Sequence, residues 1–543
     1  MKRKAVAAVL TAVMVASMFT GCGSDKGSSS AKSTSAASAA NDTVDEDGKV
    51  NGIMYQEGLP LVDEGDYTFS IFCDDSSESG EFIMLDEFKK QTNVDVDLKI
   101  YPYETATERL NLDLNSGDYA DVIGGWTLSD NAILTYGVNQ GVFIPLEDYF
   151  EKYCPNISAI LDLPGVREKM TAPDGHIYTI PYVCADSTVG YSPYINTKWL
   201  ENVGMSMPTT TDEFEAVLKA FKEQDANGNG DASDEIPFST DPNNKHIEAM
   251  AGYFGLPMNK LGIAIQNEKV VYGGVSDTYR EFLSWFHKLY AEGLVDVELY
   301  TQDSSTWEGK GNQDLYGVSI AYGSGEFTGI PAAEERGDFD SMPVLNTDKD
   351  GIWLRDTEGF SVYRTQAVIT NKAEHPEIIC RWFDNAFALE NGIGCNRGPV
   401  GVIVNKEDDG YHAIDTTTLS EEDQEKYSWG NLWPQSLPKY LPADFEFVEE
   451  HPMYDEKKAT EEAYEANLTK EIIPSYWIDL DKIDTFSDTN TAIKDFFEQQ
   501  QAQFVCGELD IDNDADWQAY VDGMYSLGLE DWVATQGIEE IAK

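Results

Sequence analysis

The stretch Gly175-His-Ile-Tyr-Thr-Ile-Pro-Tyr-Val-Cys-Ala-Asp-Ser-Thr-Val-Gly-Tyr-Ser-Pro-Tyr-Ile-Asn-Thr-Lys-Trp199 carries the reading of the fold. Its first half is β-rich, with Pro181 between aromatics. Small residues break it at Ala185 to Ser187, and a second aromatic run follows before a helix starts near Asn196. Proline lacks the N–H that a central strand needs, so the segment reads as leaving one sheet and entering another. The expectation is a crossing between two lobes at Pro181 to Ser187, lining the cleft between them. The competing reading is a pair of edge strands whose aromatics face a core.

On the N-terminal side, strands and helices alternate: strand at Tyr67 to Cys73, helix at Glu81 to Gln91, strand at Val94 to Ile100, helix at Glu104 to Asn115, short buried strand at Asp121 to Gly125. Alternation of this kind predicts an α/β fold with a parallel sheet and right-handed crossovers. Ligands bind beyond the carboxyl ends of such strands, which puts Asp74 and Trp126 on a common rim. On the C-terminal side, helices at Thr210 to Gln224, Val275 to Glu292 and Ser304 to Lys310 alternate with strands at Ile236 to Ser239 and Tyr316 to Tyr322, a second α/β unit. The chain then returns through a strand at Gly359 to Thr370 and a helix at His375 to Glu390, with Pro376 in its first turn. Residues 392–488 read as irregular, and helices at Thr489 to Cys506 and Ala515 to Gly528 close the fold.

At 543 residues the chain exceeds one hydrophobic core. Acids outnumber bases by 97 to 38, which excludes a nucleic-acid phosphate backbone as partner because the required basic patches are missing. Lys2, Arg3 and Lys4, an apolar run from Ala5 to Phe19 and the ending Thr20-Gly21-Cys22 resemble a bacterial lipoprotein signal peptide, with lipid on the Cys22 sulfur. The Gly/Ser/Ala-rich and then acidic tract from 22 to 50 reads as a flexible tether. No later run of 18 apolar residues exists to span a membrane. The six remaining cysteines (Cys73, Cys154, Cys184, Cys380, Cys395, Cys506) show no metal spacing.

The sharpest local motif is Asp225-Ala-Asn227-Gly-Asn229-Gly230-Asp231-Ala-Ser-Asp234-Glu235-Ile236. Oxygen side chains at the first, third and fifth positions with glycine sixth match a Ca2+ loop, so Asp225, Asn227, Asn229, Asp231 and Glu235 are the expected ligands of a structural ion. Ile236 stands where the closing Glu belongs, so Glu235 or Asp234 would close a shortened loop, and a metal-free Asn/Gly/Asp turn is the alternative. A second constellation is aromatic: Trp126, Tyr178, Tyr182, Tyr191, Trp307, Tyr322, Trp353, Trp429 and Trp433 fall at strand ends or in loops. Flat rings with polar tips suit sugar rings, although core packing explains any single one of them better. No Gly-x-Ser-x-Gly elbow or His-Glu-x-x-His helix occurs, and the six histidines are scattered.

Several segments in order are similar to the solute-binding lipoproteins of ABC transporters, in the extracellular family 1 that includes maltose-binding protein, and above all to its long Gram-positive members. They are the lipid signal, Ser116-Gly-Asp-Tyr-Ala-Asp-Val-Ile123, Tyr194-Ile-Asn-Thr-Lys-Trp-Leu-Glu-Asn-Val-Gly204 with Pro208-Thr-Thr-Thr-Asp-Glu-Phe214, the Asp225 loop, Leu289-Tyr-Ala-Glu-Gly-Leu294, and Gly507-Glu-Leu-Asp-Ile-Asp512 with Trp517. The resemblance implies a type II two-lobed fold without catalysis, closing by a hinge on a ligand. On that basis residues 51–182 plus 360–485 form one lobe and 187–355 plus 486–543 the other, after a signal at 1–21 and a tether at 22–50. Trp126, Tyr182, Asp186 and Tyr322 are expected to face the cleft, joined by Trp433, Trp307 and Asp74. The implied protein is a monomer, lipid-anchored on the outer face of the membrane, that hands an oligosaccharide to an ABC permease. The rival readings are a surface glycoside hydrolase and a lipoprotein for peptides or other solutes.

Overall fold

Tyr67–Asp74 alternates buried and open positions at first and then becomes continuously buried, as a strand does when helices cover both faces of its sheet. The computed structural model describes residues 42–75, 81–241, 246–329, 337–442, 445, 447–448 and 452–542. In chain order, the strands that position the site are β1 (Tyr67–Asp74), β2 (Val94–Tyr101), β3 (Val122–Gly124), β4 (Thr179–Ala185), β5 (Ser192–Asn196), β6 (Ile236–Thr240), β7 (Tyr316–Ala321), β8 (Phe339–Ser341), β9 (Trp353–Arg355), β10 (Phe360–Ile369) and β11 (Leu468–Ile472). A five-stranded sheet runs β2-β1-β3-β10-β4, and a four-stranded sheet runs β8-β5-β7-β6. The first sheet is parallel through β1, β2 and β3, but β10 lies antiparallel to both β3 and β4, so the expected all-parallel sheet is mixed.

The opening stretch leaves the first sheet at Ala185 and enters the second at Ser192. The crossing is therefore Asp186 to Tyr191, later than the Pro181 start expected. Pro181 stays inside β4, on the sheet's edge, where β10 bulges: Tyr182 pairs with Tyr363 but Ile180 pairs with Ala367, so three residues oppose the proline. The bulge removes the ladder bond that proline cannot make. Asn196 caps the next helix, Thr197–Val203, by accepting from the Trp199 N–H.

Two large clusters of buried side chains accompany the sheets. One holds Phe69, Ile71, Trp382, Phe383 and Trp433. The other holds Trp199, Phe214, Phe238, Phe286, Trp353, Phe497 and Trp517. Tyr464, at the end of the Pro452–Tyr464 helix, belongs to the second cluster, and β11 pairs with β9 beside it. The region read as irregular thus contains ordered elements, among them a hairpin (Val404–Glu407 with Gly410–Ala413) and a helix that begins at Ile483, ahead of the expected Thr489. The expected helix from His375 to Glu390 is two, Pro376–Ala386 and Leu389–Arg397, with Phe387 buried between them.

The signal peptide, Cys22 and the tether up to residue 41 lie outside the described residues. From residue 42 the expected tether is held: Val44 bridges Val50, which is buried, and Asp42 accepts from the Tyr153 hydroxyl at 2.8 Å. Among the described residues no helix is long and apolar enough to cross a membrane.

Candidate functional site

The site begins where β3 ends in Gly124-Gly125-Trp126. Gly125 has φ +132°, and a Cβ on it would sit 2.3 Å from an Asp74 carboxylate oxygen, so only glycine fits. Asp74 is fully buried and accepts the N–H groups of Trp126 (2.9 Å) and Thr127 (2.6 Å). Burial raises its carboxyl, against the pull of these bonds. Asp74 therefore holds the turn that presents Trp126 and keeps no exposed surface of its own, a correction to the expectation that it points to the rim. Trp126 remains 46% exposed.

From Trp126 a continuous chain of side chains reaches the other sheet. Its ring meets Tyr363 edge-on at 5.3 Å and Tyr182 at 6.4 Å, and Tyr182 and Tyr363 stack at 5.5 Å. Both tyrosines flank the β4–β10 bulge. Asp186 then joins the two sides: its Oδ2 accepts from Ser361 (2.5 Å) and Tyr363 (3.5 Å) on β10, and its Oδ1 accepts from Tyr322 (3.1 Å) just past β7. Tyr322 continues to Tyr191 at 6.1 Å, and Tyr191 stacks on His246 at 4.0 Å. Trp126, Tyr182, Asp186 and Tyr322 are thus brought together at the junction of the two sheets.

Two expected members are elsewhere. Trp433 is 0% exposed and stacks on Trp382 in the first core; Trp307 is 3% exposed and donates its indole N–H to Ser319. Large side chains at irregular spacing look alike in sequence whether they end in a core or on a cleft, and burial alone separates them. Of the wider aromatic set, Tyr178 and Trp353 are buried, while Trp429 is 57% exposed.

Sequence reasoning missed Tyr363, Lys439 and Lys457. Lys439 lies 5.8 Å from the Tyr182 ring and 5.5 Å from that of Trp429, in almost complete burial that pushes its ammonium down to about 8. Lys457 stands 3.9 Å over Tyr322 and donates to the carbonyls of Gly190 (2.5 Å) and Tyr322 (2.6 Å); burial lowers it to about 8. Tyr363 lies in the strand read at Gly359 to Thr370, the one signal that could have pointed to it. Nothing local marks either lysine, because both come from the stretch without periodicity.

The Asp225 loop has its glycines at positive φ, Gly228 at 74° and Gly230 at 95°. Asp225 Oδ2 accepts the Gly230 N–H (3.0 Å), Asn227 and Asn229 donate their amides to Asp234, and Glu235 Oε1 accepts the Ala226 N–H (2.9 Å). Asp225 Oδ1 and Glu235 Oε2 are buried with no hydrogen-bond partner. A metal-free turn explains the former bonds but leaves two carboxylate oxygens unsatisfied, while an oxygen-only donor set of this kind suits a hard cation.

The model of the bacterial extracellular solute-binding protein family matches residues 76–392, and the chain belongs to that family. Members are binding proteins of the type II fold, so the expected fold class and the expected lack of catalysis hold. The fructooligosaccharide ABC transporter substrate-binding protein FusA of Streptococcus pneumoniae is 33% identical over 335 residues, 60% of this chain and 61% of the relative. A solved structure of the FusA EF-hand mutant with fructo-nystose superposes with TM-score 0.74 at 27% identity, covering 86% of this chain and 98% of its own. The polygalacturonan/rhamnogalacturonan-binding protein YtcQ of Bacillus subtilis is 28% identical over 146 residues, 27% of this chain and 28% of that protein.

Proposed function

We propose that this protein is the lipid-anchored, extracellular capture component of an ABC importer, and that it binds an oligosaccharide between its two sheets before passing it to a membrane permease. The observation that carries the reading is the unbroken run from Trp126 through Tyr182, Tyr363 and Asp186 to Tyr322, which joins both sheets through one carboxylate. Rings there stack on the C–H faces of sugars while a carboxylate accepts from their hydroxyls. The relatives' own ligands, fructooligosaccharides and polygalacturonan, span neutral and acidic saccharides.

In this reading each sheet is the centre of one lobe, with hinges at Asp186 to Tyr191 and between β9 and β10. Residues 452–472 join the second lobe, since Tyr464 and β11 pack there; the remaining boundaries stay as the resemblance implied. The protein works as a monomer, and Cys22 carries the lipid. Asp225, Asn227, Asn229, Asp231 and Glu235 would hold a structural Ca2+, which when bound supplies the positive charge that the two unpaired oxygens lack. Calorimetry with a panel of oligosaccharides tests the function: heat of binding without release of reducing sugar is expected. Binding of a peptide or other solute together with silence towards every sugar would sink the assignment.

A further inference from the structure

The charges that meet a ligand at the junction narrow which saccharide it takes. Carboxylates stand against the aromatic run. Asp186 is bound as above; Asp356 accepts the Gly190 N–H at 2.7 Å, and Glu326 accepts the Tyr322 N–H at 2.8 Å. Asp356 and Glu326 are exposed, so each has surface to offer beyond the oxygen it commits to a backbone amide. Protein crowds round Asp356 on its closed sides and raises its carboxyl, against the pull of the Gly190 N–H and the Lys457 charge and with the Asp186 charge adding to the rise.

The bases nearby keep their charge but aim N–H groups into the protein. Lys457 gives its ammonium to two backbone carbonyls, and Lys439, 1% exposed, gives its own to Gln435 Oε1. Arg397, half-buried, donates to the Asn396 carbonyl at 3.3 Å. A uronic acid chain carries a carboxylate on every ring, and its recognition calls for guanidinium or ammonium groups turned toward it. Here such a chain meets exposed carboxylates on the second-sheet side, while the cations are the more buried groups. An uncharged sugar meets acceptor-only oxygens, which suit hydroxyl donors, and exposed aromatic faces at Trp126 and Trp429.

We infer that the cleft selects uncharged, hydroxyl-rich saccharides and rejects chains of uronic acids. The inference rests on the saccharide-binding reading above. Calorimetric titration of the full chain with neutral trisaccharides, kestose and maltotriose among them, and with trigalacturonate separates the two. At least one neutral sugar should bind roughly ten-fold tighter than trigalacturonate or better. Between about 50 and about 500 mM salt, neutral binding should hold steady while any trigalacturonate binding strengthens, because salt screens repulsion. Asp356→Asn should narrow the preference; if that variant fails to fold, the salt comparison on the native chain decides. Trigalacturonate binding as tight as the best neutral sugar, or weakening with salt, overturns the inference and leaves saccharide capture standing. Silence towards every neutral sugar overturns the inference, while saccharide capture itself falls only with silence across the wider panel and binding of another solute.

Discussion

Two tryptophans that look alike in sequence have opposite roles at the residue scale. Trp126 is 46% exposed and Trp433 is 0% exposed. Trp433→Ala should lose about 3–5 kcal/mol of stability through the cavity it leaves, read by denaturant unfolding. Trp126→Ala should leave unfolding within about 0.5 kcal/mol while weakening saccharide affinity, because it removes a ring that touches little of the core. His246 supplies a pH dependence. Burial, helped by the Lys260 charge, lowers it from 6.5 to about 3. Between those values the unfolded chain binds a proton that the folded chain refuses, so its contribution to stability is lost as pH falls through 6.5. Going from pH 7.5 to 5 should cost about 1–2 kcal/mol from this group. His246→Asn, which tolerates the φ of +47° there, should flatten that part of a melting-versus-pH curve. An unchanged slope would remove His246 from the account.

The Pro452–Tyr464 helix acts at the scale of the element. Its Glu456 accepts the N–H and hydroxyl of Ser324, its Lys457 donates to Gly190 and Tyr322, and its Glu461 accepts the Ser187 hydroxyl and the Thr188 N–H. One helix therefore pins both loops that carry Asp186 and Tyr322. Lys457→Met should leave the helix formed but speed amide hydrogen exchange in peptides covering 186–191 and 322–326, with the rest of the second sheet unchanged. Uniform acceleration across the protein would instead mean that Lys457 serves global stability. Charged residues spaced for a solvated surface gave this helix no apolar stripe to read. Its hydrogen bonds to remote loops supply the order that periodicity did not announce.

At the scale of the whole molecule, the pairing of two α/β units through a crossing was legible because alternating strand and helix patterns survive any tertiary context. The Asp225 loop belongs at this scale too, since an ion bound only by the folded state stabilises all of it. Chelation should lower the melting temperature and Ca2+ restore it, by about 2.7 kcal/mol at a hundred-fold excess over Kd. A melting curve indifferent to both would assign the loop to the metal-free turn. Arg364 shows what stayed hidden: from the β10 bulge it pairs with Asp130 at 2.8 Å and reaches the carbonyls of Ser475 and Tyr476. That tie crosses more than a hundred residues, and no local pattern encodes it.

The sequence by itself determined the α/β class and the two alternating units, because these follow from local periodicity, and its ordered family-like segments implied four members of the junction. Only the tertiary structure decided that the crossing starts at Asp186, that Asp74 is consumed by its own turn, that Trp433 and Trp307 are core, and that Tyr363, Lys439 and Lys457 lie against the junction. Those outcomes depend on which distant strand faces each residue and how much water remains beside it. Burial and pairing across the chain are properties of the packed molecule, and no single segment carries them.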